Sequence, residues 1–587
     1  MRRTLRRQVA LSALGSSLLL AGLASIACAR PASEQPAASS APAADPVQAE
    51  IATEHGLIAG APSADDPTVL VWKGIPYAAA PVGDLRWKPP APAVDWKGVR
   101  DAKVFGSACW QPEPNPESFY GGGPIERDEN CLFLNVWSAA KQSDEARPVM
   151  VWVHGGALVT GTGATPWYDG TALATKGVVL VTINYRLGPM GFLAHPALSA
   201  ESSPSSSGNY GILDQIAALQ WVRDNIGAFG GDPKNVTIFG ESAGSWSICY
   251  LQATPLAHGL FHRAIGQSGG VFGPMPRLAA GAGDASPPRA DFEPAESAGV
   301  HLAEALGVEG DASVATAAAL RAKTPEEIYD AMAKAGGRGR FWFRPNVDGW
   351  VYPQPIYDLF AANRHSPVPL MVGSNADEGT ALWGATAPTT LAAYQTAVET
   401  RYRDFAQEVL AAYPAATDGD AKAAYLDLQG DDVFAWQMRT WARLASAPQS
   451  SPVFLYYFSR VPPGPESETY GSYHAAEIVY AFDNLKKGRS SHTWQPADEA
   501  LADTMSSYWV SFAKDGNPNE EGLPPWPRYA IATDQALELG DEIRVLDALK
   551  KERLDLLDRF YESERAAAAG LGASEQKQAP SAASGAR

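Results

Sequence analysis

The chain has 587 residues, of which 45% are hydrophobic and 19% charged, with 54 glycines and 46 prolines. This composition excludes a wholly disordered or collagen-like protein and supplies enough apolar side chains for a large core. The 65 acidic residues outnumber the 47 basic ones, which gives a formal net charge of −18 at pH 7. Such a surface repels phosphate backbones and anionic lipids, so we expect no nucleic-acid partner and no charge-driven membrane binding.

Residues 1–29 have the pattern of an export signal peptide. A basic stretch, Met1–Arg7, precedes an apolar run of small residues, and Ala27-Cys28-Ala29 fits a small-x-small cleavage site. Polar, proline-rich chain follows at once, which argues against a membrane-spanning helix. We therefore expect an exported protein, periplasmic or secreted. Signal cleavage and a lipid anchor on Cys28 are both open, and so is the oligomeric state.

Composition divides the rest of the chain into three parts. Residues 30–50, rich in Ala, Pro and Ser, predict a disordered tether, and residues 565–587, rich in Ala, Gly, Ser and Gln, predict a disordered tail. Residues 51–564 alternate strand-like and helix-like segments with no Pro/Ser-rich linker. This alternation predicts one α/β domain whose large, mostly parallel sheet is covered by helices.

The short apolar segments bounded by turn residues predict the central strands. These predicted strands are 149–153, 178–183, 236–239, 368–372 and 453–458. Apolar residues recurring every three to four positions, together with Ala-rich composition, predict helices between and after them. The predicted helical regions are 212–226, 292–337, 495–514 and 545–564.

Export changes how the cysteines are interpreted. Cys109, Cys131 and Cys249 follow the predicted signal peptide, and an oxidising compartment permits a disulfide among them. Cys249 lies in the apolar stretch Trp246–Leu251, so we predict that it is a buried free thiol.

Two segments match the nucleophile motif G-x-S-x-G. Residues 240–244 follow a predicted strand and precede a helix-compatible run, whereas residues 266–270 are followed by Gly and Pro that cannot start a regular helix. A catalytic serine of this motif sits on a sharp strand-to-helix turn that leaves no room for side chains beside it. We therefore predict Ser242 as the nucleophile and Ser268 as a buried, hydrogen-bonded serine near the site.

A second glycine-rich segment, His154-Gly155-Gly156-Ala157, follows the predicted strand 149–153. Ester cleavage passes through a tetrahedral oxyanion, which requires N–H donors that are already in place. Glycines here let the backbone approach the substrate oxygen, and the N–H of Ala243, the residue after the serine, supplies a further donor.

His474 is the candidate general base among nine histidines. It follows the predicted strand 453–458 by a Pro/Gly-rich loop, and a late loop after a strand is where an α/β-hydrolase places its base. Asp377 and Glu378 follow the predicted strand 368–372, and either carboxylate could orient the imidazole. Chain order does not choose between the two, and Asp348 is a weaker candidate.

With these residues the chain resembles the type-B carboxylesterases, the family that contains cholinesterases and bacterial p-nitrobenzyl esterases. The resemblance runs from about Gly56 to Tyr529 and rests on several motifs besides the serine motif. They are Gly74-Ile75-Pro76-Tyr77, Pro81–Trp87, Glu129–Val136, Asn184-Tyr185-Arg186, Gly208–Gly211, Leu213–Gln215 and Phe229–Pro233.

The resemblance implies an α/β-hydrolase fold with helical lid insertions, in which residues 275–345, including Phe341-Trp342-Phe343, shape the pocket. It implies hydrolysis of carboxylic esters through an acyl-enzyme. The sequence shows no metal-binding cluster and no nucleotide-binding motif, so we expect no cofactor and no metal. The implied triad is Ser242, Glu378 and His474, which leaves Asp377 as a structural neighbour.

The resemblance also assigns supporting residues. The backbone N–H groups of Gly156, Ala157 and Ala243 form the implied oxyanion hole, and Cys109 pairs with Cys131 in the implied disulfide. The implied buried ion pairs are Arg86–Glu129 and Arg186–Asp214.

The chain departs from the family at two places. The family usually reads His-Gly-Gly-Gly-Phe, whereas Ala157 and Leu158 stand here; the Ala157 methyl group fills space, so we expect poor hydrolysis of bulky tertiary-alcohol esters. The tryptophan that choline enzymes carry about ten residues before the second cysteine is replaced by Gly121-Gly122-Gly123, so we expect no quaternary-ammonium cage. Phe119 and Tyr120 could line an aromatic wall instead. Lactones, carbamates or amides are alternative substrates, and a non-catalytic adhesion-type protein is an alternative from another class.

Overall fold

A computed structural model describes residues 47–115, 119–120, 125–279, 293–310, 312–336, 343–446 and 451–576. The predicted signal peptide with Cys28, most of the predicted tether, Phe341-Trp342 of the predicted lid and residues 577–587 lie outside these ranges. The described residues belong to one compact unit. None of the described helices is long and apolar enough to cross a bilayer.

The strands are short, as expected for segments bounded by turn residues. In chain order they are β1 (Glu50–Thr53), β2 (Gly56–Ala59), β3 (Ala61–Pro62), β4 (Leu70–Pro76), β5 (Val99–Asp101), β6 (Ala108–Cys109), β7 (Arg127–Asp128), β8 (Phe133–Ser138), β9 (Arg147–Val153), β10 (Val179–Ile183), β11 (Gly231–Glu241), β12 (Arg263–Gln267), β13 (Leu370–Asn375), β14 (Val453–Phe458), β15 (Gln535–Leu539) and β16 (Ile543–Asp547).

Helices separate most of the central strands. In chain order they are α1 (Thr171–Thr175), α2 (Gly188–Phe192), α3 (Pro196–Glu201), α4 (Tyr210–Asn225), α5 (Ala243–Ala253), α6 (Ala295–Ala305), α7 (Val314–Arg321), α8 (Pro325–Lys334), α9 (Ile356–Ala361), α10 (Glu378–Trp383), α11 (Leu391–Tyr402), α12 (Ala406–Ala412), α13 (Asp418–Gly430), α14 (Trp436–Ser446), α15 (Ser467–Tyr470), α16 (Ile478–Ala481), α17 (Pro496–Asp515) and α18 (Lys551–Gln576). The five predicted strands and the first three predicted helical regions are confirmed.

Eleven strands form the main sheet, in the order β16-β15-β14-β13-β12-β11-β9-β10-β8-β4-β3. The seven central strands, β15-β14-β13-β12-β11-β9-β10 in sheet order, pair in parallel with one another. The outer pairs, β16 with β15 on one side and β10-β8-β4-β3 on the other, are antiparallel. The carboxyl ends of the parallel strands meet at one edge, where ligands bind in open α/β sheets.

The main sheet is buried on both faces, because successive side chains of a strand point to opposite sides. In β9, Val149, Val151 and Val153 join the core on one face, whereas Met150 and Trp152 join the core on the other. Helices α4, α5 and α14 contribute to the first core and α16 and α17 to the second. A parallel sheet covered in this way requires strands that are apolar on both faces, as the sequence shows.

The fourth predicted helical region, 545–564, is wrong in its first part. Ile543–Asp547 forms β16, an antiparallel edge strand on β15, and α18 begins at Lys551. Ala548 and Lys550, both with positive φ, turn the chain between the strand and the helix. Helix α18 also continues to Gln576, into the region where the composition predicts a disordered tail, because a run of alanines favours helix.

A π-helical turn, Asp431–Ala435, joins α13 to α14, and α18 and the residue before it contact this region. The Lys550 ammonium donates a hydrogen bond to Asp431 at 2.6 Å, and the ring of Tyr561 stacks on Trp436 at 3.8 Å between centroids. The same turn places the Phe434 ring 4.5 Å from the imidazole of His474. Single π-helical turns are frequent at functional sites.

Candidate active site

Ser242 occupies a strained turn between β11 and α5. Its backbone has φ 55° and ψ −121°, a conformation that costs a non-glycine residue about 1–3 kcal/mol. A Cβ on Gly244 would lie 2.0 Å from the carbonyl oxygen of Val153, and a Cβ on Gly240 would lie 2.6 Å from the same atom. Both glycines of the motif are therefore required by the close approach of β9.

The second G-x-S-x-G serine has a similar backbone but a different environment. Ser268 follows β12 with φ 52° and is fully buried, and no helix begins after it. A Cβ on the next residue, Gly269, would lie 2.5 Å from the carbonyl oxygen of Ser242, so the two turns are in contact. The prediction of a buried serine near the site is confirmed. The predicted hydrogen bond is wrong, because the Ser268 hydroxyl has no partner in the described part of the chain.

His474 and Glu378 are brought together at the carboxyl edge of the sheet. The Nδ1 atom of His474 lies 2.6 Å from Oε2 of Glu378, and both side chains are buried. The backbone N–H of Asn375, at the end of β13, donates to the other carboxylate oxygen at 2.7 Å. Because a carboxylate only accepts, Nδ1 carries the proton and Nε2 is left to accept another.

Asp377, the alternative acid, faces elsewhere. Its carboxylate accepts a hydrogen bond from the backbone N–H of Ser472 at 2.7 Å, and its backbone bridges to Tyr473. A Cβ on Gly471 would lie 2.2 Å from this carboxylate, which explains the glycine there. Asp377 thus ties the histidine loop to the end of β13, while Glu378 contacts the imidazole.

Glu241, the residue before Ser242, approaches the other side of the imidazole. Its Oε1 atom lies 3.1 Å from Nε2 of His474, and neither atom has a hydrogen-bond partner among the residues that the structure describes. The hydroxyl of Ser242 makes no hydrogen bond to any described residue, so the serine and the histidine are not hydrogen-bonded in this structure. Such contacts are often long before substrate binds.

Three buried carboxyl groups therefore surround His474: Glu241, Glu378 and Glu477. Burial raises the pKa of Glu241 well above its usual value, and burial together with Glu378 raises the pKa of Glu477. Burial alone would lower the pKa of His474, but the adjacent carboxyl groups of Glu241 and Glu378 outweigh burial and raise this pKa above its usual value.

Glu477 is fixed by amide groups from two strands. Gln267 and Asn375 donate to its two carboxylate oxygens at 3.0 and 2.7 Å. Sequence reasoning missed both Glu241 and Glu477. Two signals could have found them: Glu241 directly precedes the serine inside the serine motif, and Glu477 lies only three residues after His474.

The loop after β9 has an unusual backbone. Gly156, Ala157 and Leu158 all have positive φ, and a Cβ on Gly156 would lie 2.2 Å from the carbonyl oxygen of Thr160. Among the described residues, no acceptor receives the backbone N–H groups of Gly156 or Ala157. The N–H of Ala243 is at the first position of α5, where helical amides lack an intrahelical partner. These three amides are available to a ligand.

An aromatic wall stands beside the histidine, as the sequence suggested. The Tyr120 hydroxyl donates a hydrogen bond to the carbonyl oxygen of His474 at 2.8 Å, and the Phe119 ring packs on Tyr120, Tyr470 and Tyr473. Both aromatic residues belong to the loop closed by the Cys109–Cys131 disulfide, whose pairing is confirmed. Cys249 is confirmed as a buried free thiol.

Both implied ion pairs are present. Arg186 donates to both carboxylate oxygens of Asp214 at 2.8 and 2.7 Å, with both side chains buried. Arg86 pairs with Glu129 in the same bidentate manner and also donates to the carbonyl oxygens of Arg321 and Lys323. The first pair anchors the chain after β10 to α4, close to the site.

Comparison with known proteins shows the family of the chain. Residues 47–557 match the model of the carboxylesterase family. The chain is 38% identical to fumonisin B1 esterase of Sphingopyxis macrogoltabida over 489 residues, which cover 81% of this chain and 84% of that protein. It is 34% identical to para-nitrobenzyl esterase of Bacillus subtilis (strain 168) over 510 residues, which cover 86% and 97%.

Solved structures show the same fold. The Geobacillus stearothermophilus carboxylesterase EST55 superposes with a TM-score of 0.72 at 32% identity, covering 87% of this chain and all of that one. A PNB esterase superposes with a TM-score of 0.71 at 32% identity, covering 86% and 99%. The α/β-hydrolase fold is thereby confirmed, and the chain belongs to the carboxylesterase family, as a carboxylic ester hydrolase of its type-B branch.

Proposed function

We propose that the chain hydrolyses carboxylic esters through an acyl-enzyme on Ser242, with His474 as general base and Glu378 as the acid that orients it. The observation that carries this proposal is the 2.6 Å contact between Nδ1 of His474 and Glu378, which leaves Nε2 as the proton acceptor beside the strained Ser242 turn. Glu378, rather than Asp377, is the acid because Asp377 is engaged by Ser472.

In the acylation step, Nε2 of His474 takes the proton from the Ser242 hydroxyl as Oγ attacks the ester carbonyl carbon. The tetrahedral intermediate then expels the alcohol, which leaves with the proton from the imidazolium. Water repeats the sequence on the acyl-enzyme: it gives a proton to His474, attacks the same carbon and releases the acid, while Ser242 recovers its proton.

The negative charge that forms on the carbonyl oxygen needs donors already in place. We assign this role to the backbone N–H groups of Gly156, Ala157 and Ala243, which no described acceptor uses. Loss of one such donor costs roughly 10²–10³ in rate in a comparable enzyme. Gly156 and Ala157 both have positive φ, so the chain here has left the extended conformation of β9.

The test uses p-nitrophenyl acetate and butyrate with Ser242→Ala and Ser268→Ala as a matched pair. Both serines stand in G-x-S-x-G with positive φ, and alanine keeps the Cβ, so the two substitutions leave the same kind of backbone strain in place and remove only a hydroxyl. We expect Ser242→Ala to lose roughly 10⁴-fold or more of kcat, and Ser268→Ala to stay within about tenfold of the parent. Equal rates for the parent and Ser242→Ala would remove Ser242 from its role.

Covalent labelling separates this proposal from the non-catalytic alternative. An organophosphonate should label the parent and Ser268→Ala but not Ser242→Ala, whereas an adhesion-type chain would remain unlabelled. A panel that contains esters, a lactone, a carbamate and an amide then decides which bond the site cleaves. We expect the esters to be hydrolysed fastest.

Export is a separate proposal. The pattern of residues 1–29 supports a signal peptide, and mass spectrometry of the mature protein distinguishes its two forms. A new N-terminus after Ala29 would indicate cleavage to a released protein, and a diacylglyceryl group on Cys28 would indicate a lipoprotein.

A further inference from the structure

We propose that a cavity beside the loop after β9 binds a single carboxylate group carried by the substrate ester, with Arg127 as its counter-ion. The cavity has a volume of about 400 Å³, a size suited to a small molecule or to one arm of a larger one. This inference rests on the proposed function and names a substrate class for it: esters that retain one free carboxylate.

The cavity shares a wall with the proposed oxyanion loop. Val159, which lines it, is two residues after Ala157, and Gly188, which also lines it, donates its backbone N–H to the carbonyl oxygen of Leu158 at 2.7 Å. Gln111 holds Gly161 at both its N–H and its carbonyl oxygen, each at 2.8 Å. The far side of the loop that binds the ester carbonyl is thus a fixed surface of this cavity.

Most of the cavity wall is apolar. Trp110, Tyr329 and Phe343 line it together with Met332 and Ala333, and the rings of Trp110 and Tyr329 lie 6.0 Å apart. These side chains suit a hydrocarbon or aromatic linker, which would gain about 25 cal/mol for each Å² of apolar surface removed from water.

Arg127 supplies the charge at this wall. It lies on β7, which pairs with β6 next to the Cys109–Cys131 disulfide, so its backbone is fixed. Its guanidinium stacks over Trp110 at 4.1 Å, and one nitrogen is 2.6 Å from Glu113. The Glu113 side chain is 62% exposed, and pairs with such an exposed partner are weak.

The other terminal nitrogen of Arg127, Nη1, is buried without a hydrogen-bond partner in the described part of the chain. An arginine cannot lose its charge to relieve this, and a buried donor left unpaired is costly. A small rotation of the Arg127 side chain, which lines the cavity, would bring Nη1 to a ligand carboxylate and satisfy it with a short, charge-assisted hydrogen bond.

Two acids limit the charge that the cavity accepts. Glu326 and Asp330 lie one turn apart on α8, line the cavity and are exposed. They would repel a second anionic group at the entrance, so the site should favour one carboxylate near Arg127 over several. Replacing these acids with amides should therefore help charged esters and leave neutral ones unchanged.

The experiment compares charged and neutral esters of matched size. For the acyl side the pair is the mono-p-nitrophenyl ester of glutaric acid and p-nitrophenyl pentanoate. For the alcohol side it is 4-(butyryloxy)benzoate and its methyl ester. We expect Arg127→Gln to lower kcat/KM at least tenfold for the charged member of one pair, mainly through a higher KM. The pair that shows this loss identifies whether the acyl side or the alcohol side of the ester enters the cavity. Both neutral esters should change less than twofold.

Further variants keep the test decisive. Arg127→Lys should retain part of the preference, because lysine keeps the charge but not the planar fork. The double variant Glu326→Gln/Asp330→Asn should raise kcat/KM for the charged ester about threefold or more, and it also serves if Arg127→Gln fails to fold. Arg544→Gln, on the exposed edge strand β16, is the matched control and should change neither pair.

An equal loss for charged and neutral esters, or no selective change in any variant, overturns the inference. If the parent enzyme hydrolyses neutral esters but Arg127→Gln affects charged and neutral esters equally, the carboxylate site is refuted and the proposed function still stands. If the parent enzyme hydrolyses no ester, the proposed function itself is refuted.

Discussion

The hydroxyl of Tyr120 donates its hydrogen bond to the backbone carbonyl of His474, and the two rings lie 6.4 Å apart in an edge-on arrangement. Tyr120 belongs to the loop closed by the Cys109–Cys131 disulfide, and 354 residues of sequence separate it from the histidine. A segment near the start of the domain therefore holds the backbone of the proposed base.

Tyr120→Phe tests this link. The substitution removes the hydrogen bond to His474, and such a bond is worth about 0.5–1.5 kcal/mol in stability. We expect kcat to fall about three- to tenfold because the imidazole is less well positioned. Steady-state kinetics and thermal unfolding measure the two effects. Tyr470→Phe is the control from the same aromatic cluster, since its side chain contacts Phe119 through the ring. Similar losses of kcat in both variants would contradict a specific role for Tyr120.

Glu378→Gln tests the proposed acid through its effect on pH dependence. The negative charge of Glu378 stabilises the imidazolium, which raises the pKa of His474. The base must be neutral to act, so kcat/KM falls as the pH drops below this pKa. Removing the charge lowers the pKa, and we expect the acidic limb of the pH profile to move to lower pH.

The same substitution should lower kcat by roughly 10²–10⁴-fold, because an amide no longer holds the imidazole in its working tautomer. Circular dichroism should show a folded protein. Asp377→Asn is the matched control at the neighbouring position. The acidic limb of its kcat/KM profile should lie at the same pH as in the parent enzyme. If the limb moves with Asp377→Asn instead, the acid has been assigned to the wrong carboxylate.

Asp214→Asn tests the buried ion pair that anchors the chain after β10. It leaves the Arg186 guanidinium buried beside a neutral partner, which costs about 3–5 kcal/mol of unfolding free energy. Urea titration measures this loss as a lower midpoint. Asp224→Asn is the control, since the Arg223–Asp224 pair has a similar distance of 2.7 Å but is exposed. It should change stability by less than about 1 kcal/mol, and comparable losses would contradict the assignment.

Ala157→Gly tests the departure of the oxyanion loop from the family pattern. Ala157 has φ 56°, a region that glycine enters without steric cost, so the variant should be as stable as the parent or more stable by up to about 1 kcal/mol. The added space should raise activity on tert-butyl acetate relative to ethyl acetate.

Ala146→Gly is the control for the backbone effect. Ala146 also has positive φ, at 48°, but lies on the surface before β9. Its ester preference should match that of the parent. An unchanged preference in Ala157→Gly would show that the methyl group does not limit the alcohol pocket.

Central strands and the serine turn could be predicted because their signals are local. An apolar run such as Val149–Val153 fits a strand covered on both faces, and glycines beside Ser242 fit the turn that brings Val153 within reach. The edge strand β16 could not be recognised from the sequence, because this segment forms a strand only by pairing with the edge of β15. Tertiary contact thus overrides a helical pattern in this segment.

The carboxyl groups around His474 illustrate the same limit. Glu241 and Glu378 come from two different strand ends and Glu477 from the turn before α16, and only the folded sheet brings them together. The choice of Glu378 over Asp377 needed family resemblance, since both follow β13 and the difference lies in which way each side chain points. Arg127 carries no sequence motif, and its orphaned nitrogen is visible only in three dimensions.

The π-helical turn at 431–435 is supported by residues that are synthesised after the proposed triad. Phe434 closes over the imidazole, and the turn that carries it is held by Lys550 and Tyr561, which leave the ribosome after every member of the proposed triad. A nascent chain stopped before residue 550 would contain Ser242, Glu378 and His474 but lack this clamp. We therefore expect the Phe434 ring to be held less firmly against the imidazole in a chain that ends before residue 550 than in the full-length chain.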